Sequence, residues 1–93
     1  MKNQGKLLRR LAEQTSFAEQ PLPGLPIVEV AGDRRVLVEN HLGIREYERD
    51  RISISVQYGV LRVEGDCLEL AMMSGHQLVI VGRIDRIFLE RRS

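Results

Sequence analysis

The 93-residue chain reads as an all-β domain, an antiparallel meander of about eight short strands forming a two-layer sandwich or roll, preceded by a short helical or disordered tail. Three observations predict it. Apolar and polar residues alternate with a period of two from Ile27 to Glu90, most strictly over Arg51–Tyr58. Glycine-containing or polar corners recur at strand-length intervals, and no segment between them carries a helical period or is long enough for a parallel crossover.

The elements follow in chain order. Residues 1–20 form a basic tail in which Lys6, Leu7, Leu8, Arg9, Arg10 and Leu11 give a short amphipathic helical stripe. About ten such residues are marginal as an isolated helix, so the stripe is expected to dock on the body, a partner or a membrane surface, or else to fray. Residues 21–26 hold three prolines, which forbid a helix and make a stiff hinge. Residues 27–91 are the β domain. Ile27–Ala31 and Arg35–Glu39 are joined by the Gly32-Asp33-Arg34 turn, with Val36 and Val38 on one face and Leu37 on the other. The corner Asn40-His41-Leu42-Gly43 leads into Ile44–Glu48, because asparagine and glycine tolerate left-handed backbone angles.

After the polar turn Glu48-Arg49-Asp50, the strand Arg51–Tyr58 points Ile52, Ile54, Val56 and Tyr58 one way and Ser53, Ser55 and Gln57 toward solvent. Gly59 reverses the chain into Val60–Glu64. Gly65-Asp66 is expected to turn it again into Cys67–Met73, where Leu68, Leu70, Met72 and Met73 join the core. Ser74-Gly75-His76 turns into Leu78-Val79-Ile80-Val81, apolar on both faces and so covered from both sides, by a second sheet or another subunit. Gly82 is expected to break that strand before Arg83–Glu90. The surface around Leu78, Val79, Ile80, Val81, Ile84 and Phe88 is therefore the expected partner interface. A meander also leaves two edges to be blunted or paired.

Charge and cysteine content exclude several classes. Net charge is +1, but residues 1–14 carry +3, residues 83–93 carry +2 and the 68 residues between carry −4. An acidic body with basic ends argues against a nucleic-acid domain with a basic face, and leaves the tail free to meet an anionic membrane. The single cysteine, Cys67, cannot form an internal disulfide and fits packing better than nucleophilic chemistry. No stretch approaches the roughly 20 apolar residues of a membrane span, and no signal-peptide core is continuous, so the chain reads as cytoplasmic. His41 and His76 lack partners at metal-ligand spacing, there is no nucleophile elbow around Ser53 or Ser55, and no glycine-rich phosphate loop. No metal, cofactor or small-molecule substrate is expected. Two further readings stand beside a non-enzymatic interaction module. A single-stranded nucleic-acid module would stack bases on Tyr47 and Tyr58 beside Arg45, Arg49, Arg51 and Arg62, although Glu46, Glu48, Asp50 and Glu64 explain those arginines as ion pairs. A hydrolase built on His41 has only that residue in its favour, and a histidine in such a corner more often bonds the turn backbone.

Five segments carry a resemblance: Leu22-Pro23-Gly24-Leu25-Pro26, Val38-Glu39-Asn40-His41-Leu42-Gly43-Ile44-Arg45-Glu46-Tyr47, Tyr58-Gly59-Val60-Leu61-Arg62-Val63-Glu64-Gly65, Leu68-Glu69-Leu70 and Val79-Ile80-Val81-Gly82-Arg83-Ile84. In this order they resemble the YabP/YqfC family of sporulation proteins, closer to the YqfC branch, over residues 22–90. The resemblance implies a small β-rich protein of endospore formation, without assigned catalytic activity, in the mother cell of a sporulating bacterium. Action through self-association as a homo-oligomer or through a membrane-linked sporulation partner is expected from the strand Leu78–Val81, apolar on both faces, from the open sheet edges and from the small size.

Overall fold

A computed structural model describes residues 24–92. It is all-β. Six strands, β1 (Ile27–Ala31), β2 (Arg35–Glu39), β3 (Ile44–Tyr47), β4 (Arg51–Val56), β5 (Gly59–Met73) and β6 (Gln77–Arg91), form one antiparallel sheet in the order β1-β2-β6-β5-β4-β3. The expected tail helix of residues 1–20 and the hinge prolines Pro21 and Pro23 lie outside the described residues.

Two expected turns are not turns, and this reduces eight strands to six. The chain runs straight through Gly65-Asp66 and through Gly82, giving two 15-residue strands that pair along their whole length. Glycine marks a bulge here instead of a reversal. The β5–β6 register shifts between Glu64 and Gly65, between Asp66 and Glu69, and between Leu70 and Met72. At the first shift the strands approach so closely that a Cβ on Gly65 would overlap the Arg83 carbonyl oxygen. Gly82 has φ +133°, and a Cβ there would lie 2.6 Å from the Cys67 carbonyl oxygen. Cys67 itself takes the left-handed φ of 53°.

The expected sandwich or roll is built from a single sheet bent at the bulges. β2 pairs with the first part of β6 through Arg35↔Val81 to Glu39↔Gln77, whereas β4 pairs with the first part of β5 through Arg51↔Glu64 to Val56↔Gly59. The two long strands thus carry β1-β2 at one end and β3-β4 at the other. Val36 and Val38 of β2 and Ile52 and Ile54 of β4, which never pair with each other, are all fully buried in one apolar cluster. The sheet therefore folds over at the bulges so that its two ends share one core. The strict meander also fails: β2 leads to β3 in sequence but pairs with β6, because the corner at residues 40–43 carries the chain from one end of the sheet to the other. There Leu42 N–H donates to the Ser55 carbonyl at 2.7 Å, and Ser55 N–H to the Gly43 carbonyl at 2.8 Å.

The period of two decides which side chains enter the core. Ile52, Ile54, Leu61, Val63, Leu78 and Ile80 are fully buried, with Leu68, Val56 and Ile84 close behind. Each such side chain contributes about 1.5–3 kcal/mol relative to exposure. Met72 and Met73 are 42 % and 47 % exposed and do not join them: the register shift after Leu70 sets Met72 opposite Val79, on the face away from the core, and Met73 is the last residue of β5. Ser53 departs the other way and is buried, its hydroxyl donating to Glu46 Oε1 at 3.0 Å.

Candidate functional site

The corner between β2 and β3 concentrates the most distinctive polar residues. Asn40 adopts φ 64°, its backbone N–H donates to the His76 carbonyl at 2.6 Å, and its Nδ2 donates to the Leu25 carbonyl at 2.9 Å. His41 is buried beneath this corner. Gly43 N–H donates to His41 Nδ1 at 3.0 Å, which leaves Nε2 as the protonated nitrogen, donating to the Ser74 carbonyl at 2.8 Å. Gln77 Nε2 donates weakly to Glu39 Oε1 at 3.4 Å. The Glu-Asn-His tripeptide thus ties the β2–β3 corner to the β5–β6 turn and to the chain entering β1. Both imidazole nitrogens are committed to backbone groups, so His41 offers no free base to a substrate in this conformation.

The tyrosine and arginine surface is likewise committed. Tyr47 hydroxyl accepts the Leu70 N–H at 2.9 Å and so covers part of the edge of β5. Tyr58 is half-buried, with the Arg91 guanidinium 6.0 Å from its ring centre. Burial raises the Tyr58 pKa above its ordinary value, opposed by the Arg91 charge. Arg51 pairs with Glu46 at 3.0 Å, and Arg62 reaches Glu90 at 2.6 Å while its carbon Cζ lies 4.9 Å from the Phe88 ring centre. Arg62 Nε also stands 3.2 Å from Glu64 Oε2, without the alignment of a hydrogen bond. Arg86 Nε donates to Glu64 Oε1 at 3.2 Å. Arg45, Glu46, Ser53, Val60, Arg62 and Glu90 frame an open hollow of about 360 Å³ in which both signs of charge alternate. Cys67 is exposed, with Arg49 3.6 Å from its sulfur.

The six residues expected at a partner interface separate by face. Leu78 and Ile80 are fully buried and Ile84 is 9 % exposed, so the protein's own core occupies all three. Val79, Val81 and Phe88 lie on the opposite face and are half-buried. Val79 joins Glu29, Val30, Ala31, Arg35 and Leu37 around a second open hollow of about 290 Å³. The tail residues Lys6, Leu7, Leu8, Arg9, Arg10 and Leu11 lie outside the described residues. The sequence reading missed Leu89, which is 64 % exposed although it is opposite the fully buried Leu61. The reason is positional. β2 covers only Gln77–Val81, so the second part of β6 has β5 on one side and no strand on the other among the described residues.

Among the described residues no three His, Cys, Asp or Glu side chains are grouped to hold a metal ion, and no helix is long and apolar enough to cross a membrane. No curated protein and no solved structure matches the chain. A comparison with protein families matches the YabP family over residues 26–93, the whole span from the entry of β1 to the end of the chain. The match covers the Glu39-Asn40-His41 corner, both bulged strands and the free edge, and is consistent with a sporulation-associated role; the chain belongs to the YabP family.

Proposed function

We propose that this protein is a non-enzymatic interaction module of endospore formation, of the YqfC-like branch, which works in the mother-cell cytoplasm by pairing its free sheet edge with a second protein surface. The observation that supports this reading best is the edge of β6 that no strand covers among the described residues, where Leu89 is 64 % exposed on the face that elsewhere forms the core. An unpaired strand with an exposed apolar side chain is a template for another strand. The commitment of both His41 nitrogens to backbone partners favours a structural role for the corner that drew a catalytic reading. The partner is a second copy or a membrane-linked sporulation protein, and the basic segment Lys2–Arg10 supplies attraction to an anionic membrane at about 1 kcal/mol per charge.

The test is complementation in a sporulating strain that lacks the gene. Wild type and His76→Ala, whose side chain is exposed, are expected to restore heat-resistant spores. Leu89→Lys, which leaves the core untouched, is expected to accumulate as folded protein and to fail. Full spore yield from Leu89→Lys would overturn the reading.

A further inference from the structure

The second part of β6, which has no strand on its outer side among the described residues, is self-complementary. We infer that two copies of this chain pair antiparallel through Arg86–Glu90, about a two-fold axis at Phe88, to continue one sheet across both molecules; this rests on the reading of the protein as an edge-pairing module.

Backbone geometry sets which registers are possible. Arg92 N–H donates to the Tyr58 carbonyl at 2.8 Å, so Arg92 directs its peptide groups toward β5. Successive residues of a strand direct them to opposite sides, so Phe88 and Glu90 also face β5, while Ile87, Leu89 and Arg91 face the free side. An antiparallel partner can only set outward-facing residues opposite outward-facing ones. A two-fold axis at Phe88 does this. Ile87 and Leu89 of one copy then exchange both backbone hydrogen bonds with Leu89 and Ile87 of the other, and Phe88 meets Phe88 in a pair without hydrogen bonds.

The side chains match in the same register. Reading Arg86-Ile87-Phe88-Leu89-Glu90 against its own reverse sets Arg86 opposite Glu90 and Ile87 opposite Leu89, while Asp85, the extra residue of the bulge, stays outside the paired run with its carboxylate held by Arg83. Every charge meets its opposite, and each pair occurs twice because the interface is isologous. The exposed Leu89 is covered by Ile87 of the second copy on the core-facing side. Arg86 and Glu90 already contact Glu64 and Arg62 within the chain, so the pairing extends an ordered row of alternating charge across the sheet.

The other edges lack this property. β1 set against itself about its centre would oppose Glu29 to Glu29. β3 is four residues long and bulged, and the second part of β5 is partly covered by the Tyr47 hydroxyl. A contact of one short strand per copy falls at the low end of interface sizes, below about 1,200 Å² in total, so the dimer is weak and dependent on concentration.

The experiment is sedimentation of the purified full chain over a concentration series. Wild type is expected to pass from monomer to dimer. Arg86→Glu and Glu90→Arg each place like charges opposite each other twice, and each is expected to weaken the dimer by about tenfold or more while keeping a wild-type circular dichroism spectrum. An equimolar mixture of these two variants restores both opposite-charge pairs and is expected to dimerise as wild type does. Phe88→Cys in a Cys67→Ser background is expected to form an intermolecular disulfide under mild oxidation. A wild-type chain that stays monomeric, single variants that dimerise unchanged, or a mixture that fails to recover would each overturn the pairing. A monomeric wild type whose Leu89→Lys variant still abolishes spores overturns self-pairing and assigns the edge to another protein's strand. A dimer whose dissociation by Arg86→Glu leaves spore yield intact supports the pairing and overturns the proposed function.

Discussion

His41 contributes by joining two loops 33 residues apart in sequence, with one ring nitrogen accepting from Gly43 and the other donating to Ser74. Removing the ring leaves a backbone donor and a backbone acceptor unpaired beneath the corner, each at about 1–3 kcal/mol. His41→Ala is therefore expected to lower unfolding stability by about 2–4 kcal/mol in a urea titration, and a loss under about 0.5 kcal/mol would refute the latch. The bonding of His41 to its own corner was legible from the glycine two residues on. Its second partner was not, because Ser74 reaches it only through the pairing of β2 with β6. Asn40 divides in the same way: its left-handed backbone was readable from residue type, whereas its bond to Leu25 depends on where the entering chain crosses the corner.

At the scale of elements, β5 and β6 decide the architecture. Alternation located their residues, but a glycine between two alternating runs reads equally as a turn or as a bulge. Only pairing separates the two. Gly65 and Gly82 each lie against the neighbouring strand's backbone, so both runs on either side of each glycine remain one strand. Gly82→Ala would combine a left-handed φ of 133° with a Cβ 2.6 Å from the Cys67 carbonyl oxygen. It is expected to cost about 2–4 kcal/mol or to prevent folding, read as a lower urea midpoint or loss of soluble protein. Gly75→Ala is its control, since a Cβ there meets no atom within 4 Å and the expected change is under about 1 kcal/mol. Equal effects from the two substitutions would show that backbone approach at the bulge is unimportant. The end of β5 follows from the same irregularity: Met72 was placed in the core by parity counted from Leu68, and the shift after Leu70 reverses that parity.

In the whole molecule, a single core links ends of the sheet that never pair. Val38 and Ile54 stand on different strands at opposite ends, yet both are fully buried in the same cluster. Val38→Ala and Ile54→Ala are accordingly each expected to shift one shared unfolding transition, by about 1–2 and 2–5 kcal/mol, seen identically by circular dichroism and by amide exchange at either end of the sheet. Two separate transitions would mean that the ends are independent units. Read alone, the sequence establishes that the domain is β, that Val36, Val38, Ile52, Ile54, Val56, Leu61 and Val63 alternate inward, and where most reversals fall, because strand periodicity and turn chemistry are local properties of the chain; the burial of Ser53 is not among them. The family signal was local too, in the ordered motifs around Glu39-Asn40-His41, Gly65 and Gly82. Tertiary structure alone decided that six strands make one bent sheet, that Leu78, Ile80 and Ile84 belong to the protein's own core, and that among the described residues no strand pairs with β6 on its outer side from Asp85 to Arg91. Those outcomes depend on which strand lies beside which, a long-range choice made by backbone hydrogen bonding and shared burial that no short window of residues contains.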